Sequence, residues 1–491
     1  MKGYRGGNAA TADYIAFHAG ARPDAVAIVD RGRAITYAQV HRDLGRFVGA
    51  VAELGLERGR SVAVHWGELY PHWLLLLACE ELGIATATFV FLDGDTRLME
   101  SVDLVLSEVR PPGVAPERHR AVTPQWLAGV FARVEVGMPA VPAKRADDPL
   151  RIVGTSGTTG EAKHLLLTRS MYEAWTMRRI WSLGLTDKSR TLVTMPFKAA
   201  GSYTLSTAMI CAGGTVLYAG DKVGTPEALM GPAQGLTHLR LTPLDLKVTL
   251  DTLPPDFPKP AGLVICTVGA AVSAALRERT LMRLASELIV SYGCNEVLFA
   301  AETRATGSEG VSTVYPWVEI QVVDERDAPL PPGTAGTIRI RDEAMATGYL
   351  GDPETTARKF RNGWFYPGDI GILHGARRIQ IVGREDELLN IGGIKMPPSM
   401  LEALVLQHAT AGDVGVCSAR NAESIEEVYV AVANPGHTDA ELLRRVTDAF
   451  RNHVIGHFYV VKVARVPRNA NGKIQRDLLR QAVVPAAGRK G

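Results

Sequence analysis

Nine consecutive positions, Thr155-Ser156-Gly157-Thr158-Thr159-Gly160-Glu161-Ala162-Lys163, bring together four hydroxyl residues, two glycines and a lysine. They follow the short run Arg151-Ile152-Val153. A strand that opens into such a loop is suited to phosphate. The glycines let backbone N–H groups converge on oxyanions, the hydroxyls add donors, and the lysine supplies a point charge. The spacing is neither that of a Walker loop nor G-x-G-x-x-G, which points to a different nucleotide chemistry.

Four further clusters carry reactive or binding side chains. Ser291-Tyr292-Gly293-Cys294-Asn295-Glu296 closes a predicted strand, and the carboxyl end of a strand in an open α/β sheet is where ligands sit. Tyr292 offers a ring to a purine, and Glu296 is a carboxylate of the kind that holds Mg²⁺ together with phosphate oxygens. Taken alone, a capped strand end with a solvated glutamate is the simpler reading. Gly363-Trp364-Phe365-Tyr366-Pro367-Gly368-Asp369-Ile370-Gly371 places Asp369 where it can accept two ribose hydroxyls, although Pro-Gly-Asp is also ordinary turn chemistry. The segment Gly383 to Gly393 combines charge with paired glycines, as a solvated linker also does. Pro467-Arg468-Asn469-Ala470-Asn471-Gly472-Lys473-Ile474 presents a lysine on a loop, where most lysines only meet water.

The elements around these clusters are those of an α/β protein. Ala27–Asp30 and Ile35–Tyr37 flank a polar turn and read as a hairpin. Val40, Leu44, Phe47, Val51 and Leu54 recur at helical spacing, Ser61–His65 reads as a buried strand, and a helix is expected around His72–Leu82. Strand and helix alternate in this manner to about residue 300, with strands near Leu263–Ile265 and Leu288–Ser291. Residues 110–149 read as a partly irregular crossing, and from about 311 to 383 short strands and turns take over. A third region with helices at about 398–408 and 439–453 follows. The expected organisation is a large domain over 1–383, made of α/β sheets with helices and a β-rich subdomain, and a small mobile α+β domain over 384–491.

The net charge of +2 provides no bulk field for nucleic acid or an anionic membrane. Phosphate binding must therefore be local. The apolar run Trp73–Cys79 is too short to span a bilayer, the five cysteines form no C-x-x-C pair, and no signal-peptide pattern opens the chain. These features point to a cytoplasmic enzyme without nucleic-acid or membrane partners.

Together, the order, spacing and residue types of the clusters resemble the adenylate-forming superfamily: acyl- and aryl-CoA ligases, adenylation domains of nonribosomal peptide synthetases, and beetle luciferases. The resemblance runs from about Ala25 to Leu479, anchored on Thr155–Lys163, Gly348-Tyr349-Leu350 to Gly371, and Pro467–Arg476. It implies a two-step enzyme that uses ATP and Mg²⁺ to convert a carboxylic acid to an acyl-adenylate, then passes the acyl group to a thiol, with CoA as the expected co-substrate. On this resemblance Thr155, Ser156, Gly157, Thr158, Thr159, Gly160 and Lys163 hold the β- and γ-phosphates. Glu296 is the magnesium carboxylate, Asn295 meets the α-phosphate, and Lys473 approaches the reacting oxygens. Tyr292 stacks on adenine, Gly293 belongs to the same nucleotide site, Asp369 grips the ribose, and Arg384 reaches the ribose or phosphate region. Gly269-Ala270-Ala271 lines the adenine and acyl pockets, Phe197, Lys198, Gly201 and Gly269 form the acid pocket, Asp386 is the hinge, and Gly392-Gly393 borders the thiol tunnel.

The chain departs from the family at three places. Glu161-Ala162-Lys163-His164 stands where the family carries proline before the lysine and glycine after it, and Asn295 replaces the usual threonine. In Met195–Gly201 the family's aromatic-His pair is missing, and Lys198 falls at or beside that place. A cation matched to a polar or doubly anionic acid and a lysine that snorkels to solvent are equally consistent with it. No aspartate stands nearby to hold an α-amino group, which disfavours amino acids. The leading expectation is an acid–CoA ligase for a small carboxylic acid. Transfer to a carrier protein or an amine, activation of another small anion such as nitrite, and a non-catalytic nucleotide-binding relative are the alternatives. Retention of Lys473 and Glu296 weighs against the last.

Overall fold

The computed structural model describes residues 7–89, 96–134, 137–155, 163–220, 229, 235–269, 272–304, 310–391, 394–420, 426–450, 458–469 and 472–487. The hairpin expected near the N-terminus forms from Val26–Asp30 and Arg33–Thr36, closed by Arg31 and Gly32 at positive φ. Two consecutive left-handed residues give a tight turn whose twist matches the strands it joins. The helix that follows, Tyr37–Ala52, starts where Thr36 accepts the N–H of Gln39 and Gln39 answers the Thr36 backbone.

Two large sheets face a shared core. The first runs His119–Ala121, Leu104–Ser107, Ser61–Val64, Ala85–Thr88, Pro149–Thr155, Lys163–Thr168, parallel until its last, antiparallel pair. The second has a parallel centre of Val26–Asp30, Thr215–Tyr218, Arg190–Leu192, His238–Leu241, Val264–Val268 and Glu287–Tyr292. It continues through Ala301–Arg304 into the antiparallel strands of 311–384. Strands buried on both faces read as short apolar runs, as Ser61–Val64 and Val264–Val268 do. One apolar cluster takes Val62 and Leu106 from the first sheet, Val216 and Ile289 from the second, and Trp175 and Tyr203 from the helices Arg169–Leu183 and Ala200–Cys211.

The crossing at 110–149 is more regular than its composition suggests. It contains the strand His119–Ala121 and the helix Pro124–Phe131. Thr123 caps that helix through Trp126 N–H, and Pro124 occupies its first turn.

The C-terminal region has its own core. Strands Asp413–Arg420, Glu426–Ala433 and Phe458–Val463 form a three-stranded sheet. Alternation along the middle strand sends Val428, Val430 and Val432 toward helices Pro398–His408 and Asp439–Phe450. Tyr429, Ala431 and Ala433 point to Leu479 and Val483 of the helix Arg476–Ala487. Arg384, placed by sequence at the start of the smaller domain, instead closes the strand Arg378–Arg384 of the large sheet.

Buried polar groups tie the first sheet to the helices packed on it. The Arg151 guanidinium bonds Thr86 and Thr88 hydroxyls at 3.3 and 3.0 Å and stands 3.9 Å from the Tyr203 ring centroid. Glu80 is 2% exposed, accepts from the Tyr203 hydroxyl at 2.7 Å, and offers its backbone carbonyl to Arg169 at 2.7 Å. Burial pushes the Glu80 carboxyl up to about 7, against the opposing pull of Tyr203, Arg169 and Arg151. The folded state thus holds this proton more tightly than the unfolded chain does. Its stabilisation is complete below the ordinary glutamate value and is lost as pH rises to about 7. Thermal unfolding across that window should show stability falling by about 3 kcal/mol on this account. Glu80→Gln should flatten the slope, and an unchanged slope would rule this carboxyl out as its origin.

Candidate active site

The strand Pro149–Thr155 of the first sheet and Glu287–Tyr292 of the second end at one place. Asn295 Nδ2 donates to the Gly154 carbonyl at 2.7 Å, which joins the Tyr-Gly-Cys-Asn-Glu segment to the mouth of the hydroxyl-rich loop. The ends of that loop are fixed by pairing of Thr155 with Lys163, whereas Ser156, Gly157, Thr158, Thr159 and Gly160 lie outside the described residues. Gly293 is required by packing, since a Cβ there would stand 2.0 Å from the Leu298 carbonyl oxygen.

Glu296 is buried, and its Oε1 accepts the Tyr349 hydroxyl at 2.6 Å. Burial and the Glu296 carboxylate push the Tyr349 hydroxyl far up, so it remains a donor. The ring of Tyr349 lies 5.5 Å from Lys163 Nζ, which reaches Thr355 Oγ1 at 3.4 Å. Lys163, Tyr349 and Glu296 therefore form one cluster beside the loop. Tyr349 and Thr355 were not among the candidates drawn from sequence. The Gly348-Tyr349-Leu350 motif was the available signal, but nothing in it assigned the hydroxyl a partner.

A second cluster lies on the β-rich strands. Antiparallel pairing sets Asp369 opposite Arg384, whose Nη1 meets Asp369 Oδ1 at 3.2 Å. The Tyr292 hydroxyl donates to Asp369 Oδ2 at 2.6 Å, and burial followed by the Asp369 charge pushes that hydroxyl up. Each carboxylate oxygen keeps a lone-pair site for another donor. Gly368, at φ +85°, makes the left-handed turn that presents Asp369.

The acid-pocket candidates separate. Phe197 is 2% exposed, with its ring against Trp73 and Tyr203 at 5.2 and 5.1 Å, and its carbonyl accepts Arg151 Nη2 at 2.6 Å. It forms the wall behind the segment rather than its exposed surface. Lys198 is half-buried. Gly201, in the first turn of its helix, faces Arg240, whose guanidinium stands 2.0–2.1 Å from where a Cβ would be. Arg240 was missed in the sequence, although an arginine within His238-Leu239-Arg240-Leu241, buried at every position, is a visible anomaly. Gly269, at φ +94°, ends its strand, and Ala270 and Ala271 lie outside the described residues.

The C-terminal region brings its lysine loop to this face. Gly472 packs against the large domain, where a Cβ would lie 3.5 Å from Leu244 Cβ and 3.8 Å from Thr242 Oγ1. These residues start the helix Pro243–Thr252, directly after the strand of Arg240. Lys473 is exposed, and its loop is held by Arg468, which donates to the Gly472 carbonyl at 2.6 Å and pairs with Asp413 at 2.8 Å. Asp386 sits in the short turn Glu385–Glu387, where Glu387 meets Arg476 at 3.1 Å. The Asp386 side chain and both Gly392 and Gly393 lie outside the described residues.

Such an arrangement suits a triphosphate: donors at the loop ends, an amide at the strand tip and an acceptor pair for sugar hydroxyls. Among the described residues no group of three or more His, Cys, Asp or Glu could hold a metal ion by itself. The single carboxylate of Glu296 therefore fits Mg²⁺ that keeps phosphate oxygens and water as its other ligands.

Known proteins bear out the family reading. The chain is 27% identical to indoleacetate–CoA ligase of Aromatoleum aromaticum, across 96% of its own length and 98% of that protein's. It is also 27% identical to a probable non-canonical nonribosomal peptide synthetase, CymA, of Salinispora arenicola, where it spans 94% of its own length but 6% of the relative's. Its fold matches ATP-bound MatB from Rhodopseudomonas palustris with a TM-score of 0.84, at 21% identity, over 96% of this chain and 98% of the other. The family model for AMP-binding enzymes matches residues 87–350, more than half of the chain, and the protein belongs to that family.

Proposed function

We propose that this protein joins a small carboxylic acid to AMP at the expense of ATP and then transfers the acyl group to the thiol of CoA. The observation that supports this reading is the Asn295–Gly154 bond, which joins the strand end that leads into the hydroxyl-rich loop to the segment of Tyr292, whose hydroxyl meets Asp369.

In the first step an ionised carboxylate oxygen attacks the α-phosphorus of ATP, a new O–P bond forms, the bond to the bridging oxygen breaks, and pyrophosphate leaves with that electron pair. Transfer of this kind depends on positioning and charge neutralisation more than on covalent help. Asp369 receives the ribose hydroxyls, held in place by Tyr292 and Arg384. The ends of the loop at Thr155 and Lys163 take the terminal phosphates, with Ser156–Gly160 between them. Asn295 donates to the α-phosphate through its amide, in place of a hydroxyl. Glu296, oriented by Tyr349, would hold Mg²⁺, which spreads the charge of the phosphates when bound. Lys473 completes the cation set where negative charge builds, and its loop already rests at Thr242. In the second step the thiol sulfur attacks the acyl carbonyl and AMP departs, the thiol proton passing to solvent.

Indoleacetate–CoA ligase, similar over nearly all of both chains, supports CoA as acceptor. Likeness to part of a nonribosomal peptide synthetase makes a carrier-bound thiol or an amine the competing acceptor. Asp386 and the smaller C-terminal region supply the hinge and mobile element that let one site serve both steps. Among the described residues no helix is long and apolar enough to cross a membrane.

Pyrophosphate release from MgATP, followed over aryl, short aliphatic, dicarboxylic and amino acids with and without CoA, tests this reading. A thioester that appears only with CoA is the expected product, whereas pyrophosphate release without a CoA adduct moves the acceptor to a carrier or an amine. Lys473→Ala should lower adenylation by about 100- to 1,000-fold. Asp369→Asn should raise the KM for ATP by about tenfold or more, since a charge-assisted bond to the ribose is lost. A KM left unchanged would remove Asp369 from the sugar site.

A further inference from the structure

Two guanidinium groups are buried beside the Gly201 helix. Arg179 is 1% exposed, and its Nε, Nη1 and Nη2 have no hydrogen-bond partner among the described residues. Arg240 is 8% exposed, and its Nε and Nη1 are in the same condition. Both lie over the Phe299 ring, at 4.2 and 6.0 Å from its centroid. An aromatic face offsets only part of what it costs to bury a guanidinium, and two such cations beside each other add repulsion.

The carboxylates nearby are already engaged. Glu302, one strand beyond Glu287–Tyr292, accepts from Arg304 Nε at 2.8 Å and from the Tyr315 hydroxyl. Asp342 accepts from Arg178 at 2.7 and 2.9 Å. Along the sheet, Arg240 pairs in register with Cys266, Cys266 with Ile289, and Ile289 with Arg304, so the row brings Arg240 no carboxylate, and its next charge is another cation. Burial and then the Arg179 charge push Arg240 down to about 10, which leaves it charged at neutral pH.

Arg240 also occupies a telling position. Its guanidinium fills the space that Gly201 leaves open by lacking a Cβ. Its strand leads directly into Thr242 and Leu244, where the Lys473 loop rests. The loop that carries Lys473 thus rests beside the end of the strand that holds the buried cation Arg240.

We propose that the acid taken by this site is a dicarboxylic acid, whose second carboxylate seats on the Arg240 guanidinium with Arg179 behind it. This rests on the adenylation reading above and names the substrate class of the same site. The planar fork of arginine matches a carboxylate bidentately, whereas a neutral amide or methyl in its place would leave both cations buried and unanswered. No bond forms or breaks at the second carboxylate. It stays ionised while the first attacks ATP.

The test pairs aliphatic dicarboxylates of increasing length, and the phthalates, with their half-amides. It reads kcat/KM for pyrophosphate release, and binding of the same acids without ATP by calorimetry. Wild type should favour the best dicarboxylate over its half-amide by about 10- to 100-fold. Arg240→Met should collapse that ratio, and so should Arg179→Met and the gentler Gly201→Ala, with circular dichroism to confirm folding. A purely structural arginine would lower both rates together and keep the ratio. Half-amides used as well as dicarboxylates, or a ratio that survives in every folded variant, would overturn the proposal. Arg240-dependent binding of dicarboxylates without pyrophosphate release would sink the adenylation reading and uphold the anion site, and neither binding nor turnover would overturn both.

Discussion

One buried cation joins the two segments proposed to hold the nucleotide and the acid. Arg151 belongs to the strand that opens into the Thr155–Lys163 loop, yet its guanidinium bonds the Phe197 carbonyl at 2.6 Å, in the segment that leads to Gly201. The same group holds two threonine hydroxyls of the neighbouring strand and faces the Tyr203 ring. The proposed phosphate loop and acid-pocket segment follow strands of different sheets, and a guanidinium with fixed fork geometry is well suited to hold them in register. A lysine in its place would carry the charge but could not reach all three acceptors in one plane.

The sequence revealed the fold wherever periodicity and turn chemistry agreed. Val40, Leu44, Phe47 and Val51 marked a helix that forms over Tyr37–Ala52, and the helix expected at 398–408 spans those residues. Around residues 110–149 the proline-rich composition concealed a short capped helix, because a single Thr-Pro start carries little weight against so much turn chemistry. Arg384 was assigned to the smaller domain because Gly383 looked like a boundary, whereas pairing with Asp369 is a long-range contact that no local pattern encodes.

At the site, motif residues were legible and their partners were not. Asp369 and Tyr292 were each singled out, but 77 residues separate them, and only folding makes them one hydrogen-bonded unit. Glu296 needed Tyr349 to fix one of its oxygens, and Tyr349 stood in a motif whose hydroxyl had no evident task. Arg240 carried its signal in plain view, a charge inside a buried strand, away from the loops that the motifs mark. Charges in buried strands are rarer than charges in loops, and for that reason more informative.

The way the large domain treats its other buried arginines gives Arg240 and Arg179 their meaning. Arg151 is met by a carbonyl and two hydroxyls, Arg169 by the Glu80 carbonyl and the Asp148 carboxylate, and Arg178 by both oxygens of Asp342. In each case an oxygen of the protein itself answers the charge, and the arginine joins elements that would otherwise be separate. Arg179 follows Arg178 directly on the same helix, so the chain was able to place an acid near one residue of the pair. Beside the other it placed an aromatic ring and a second arginine. A fold that satisfies its structural cations so consistently would gain stability from an apolar residue at 240. Keeping a charge there is costly for folding and useful for binding, which is how a recognition site differs from a scaffold contact.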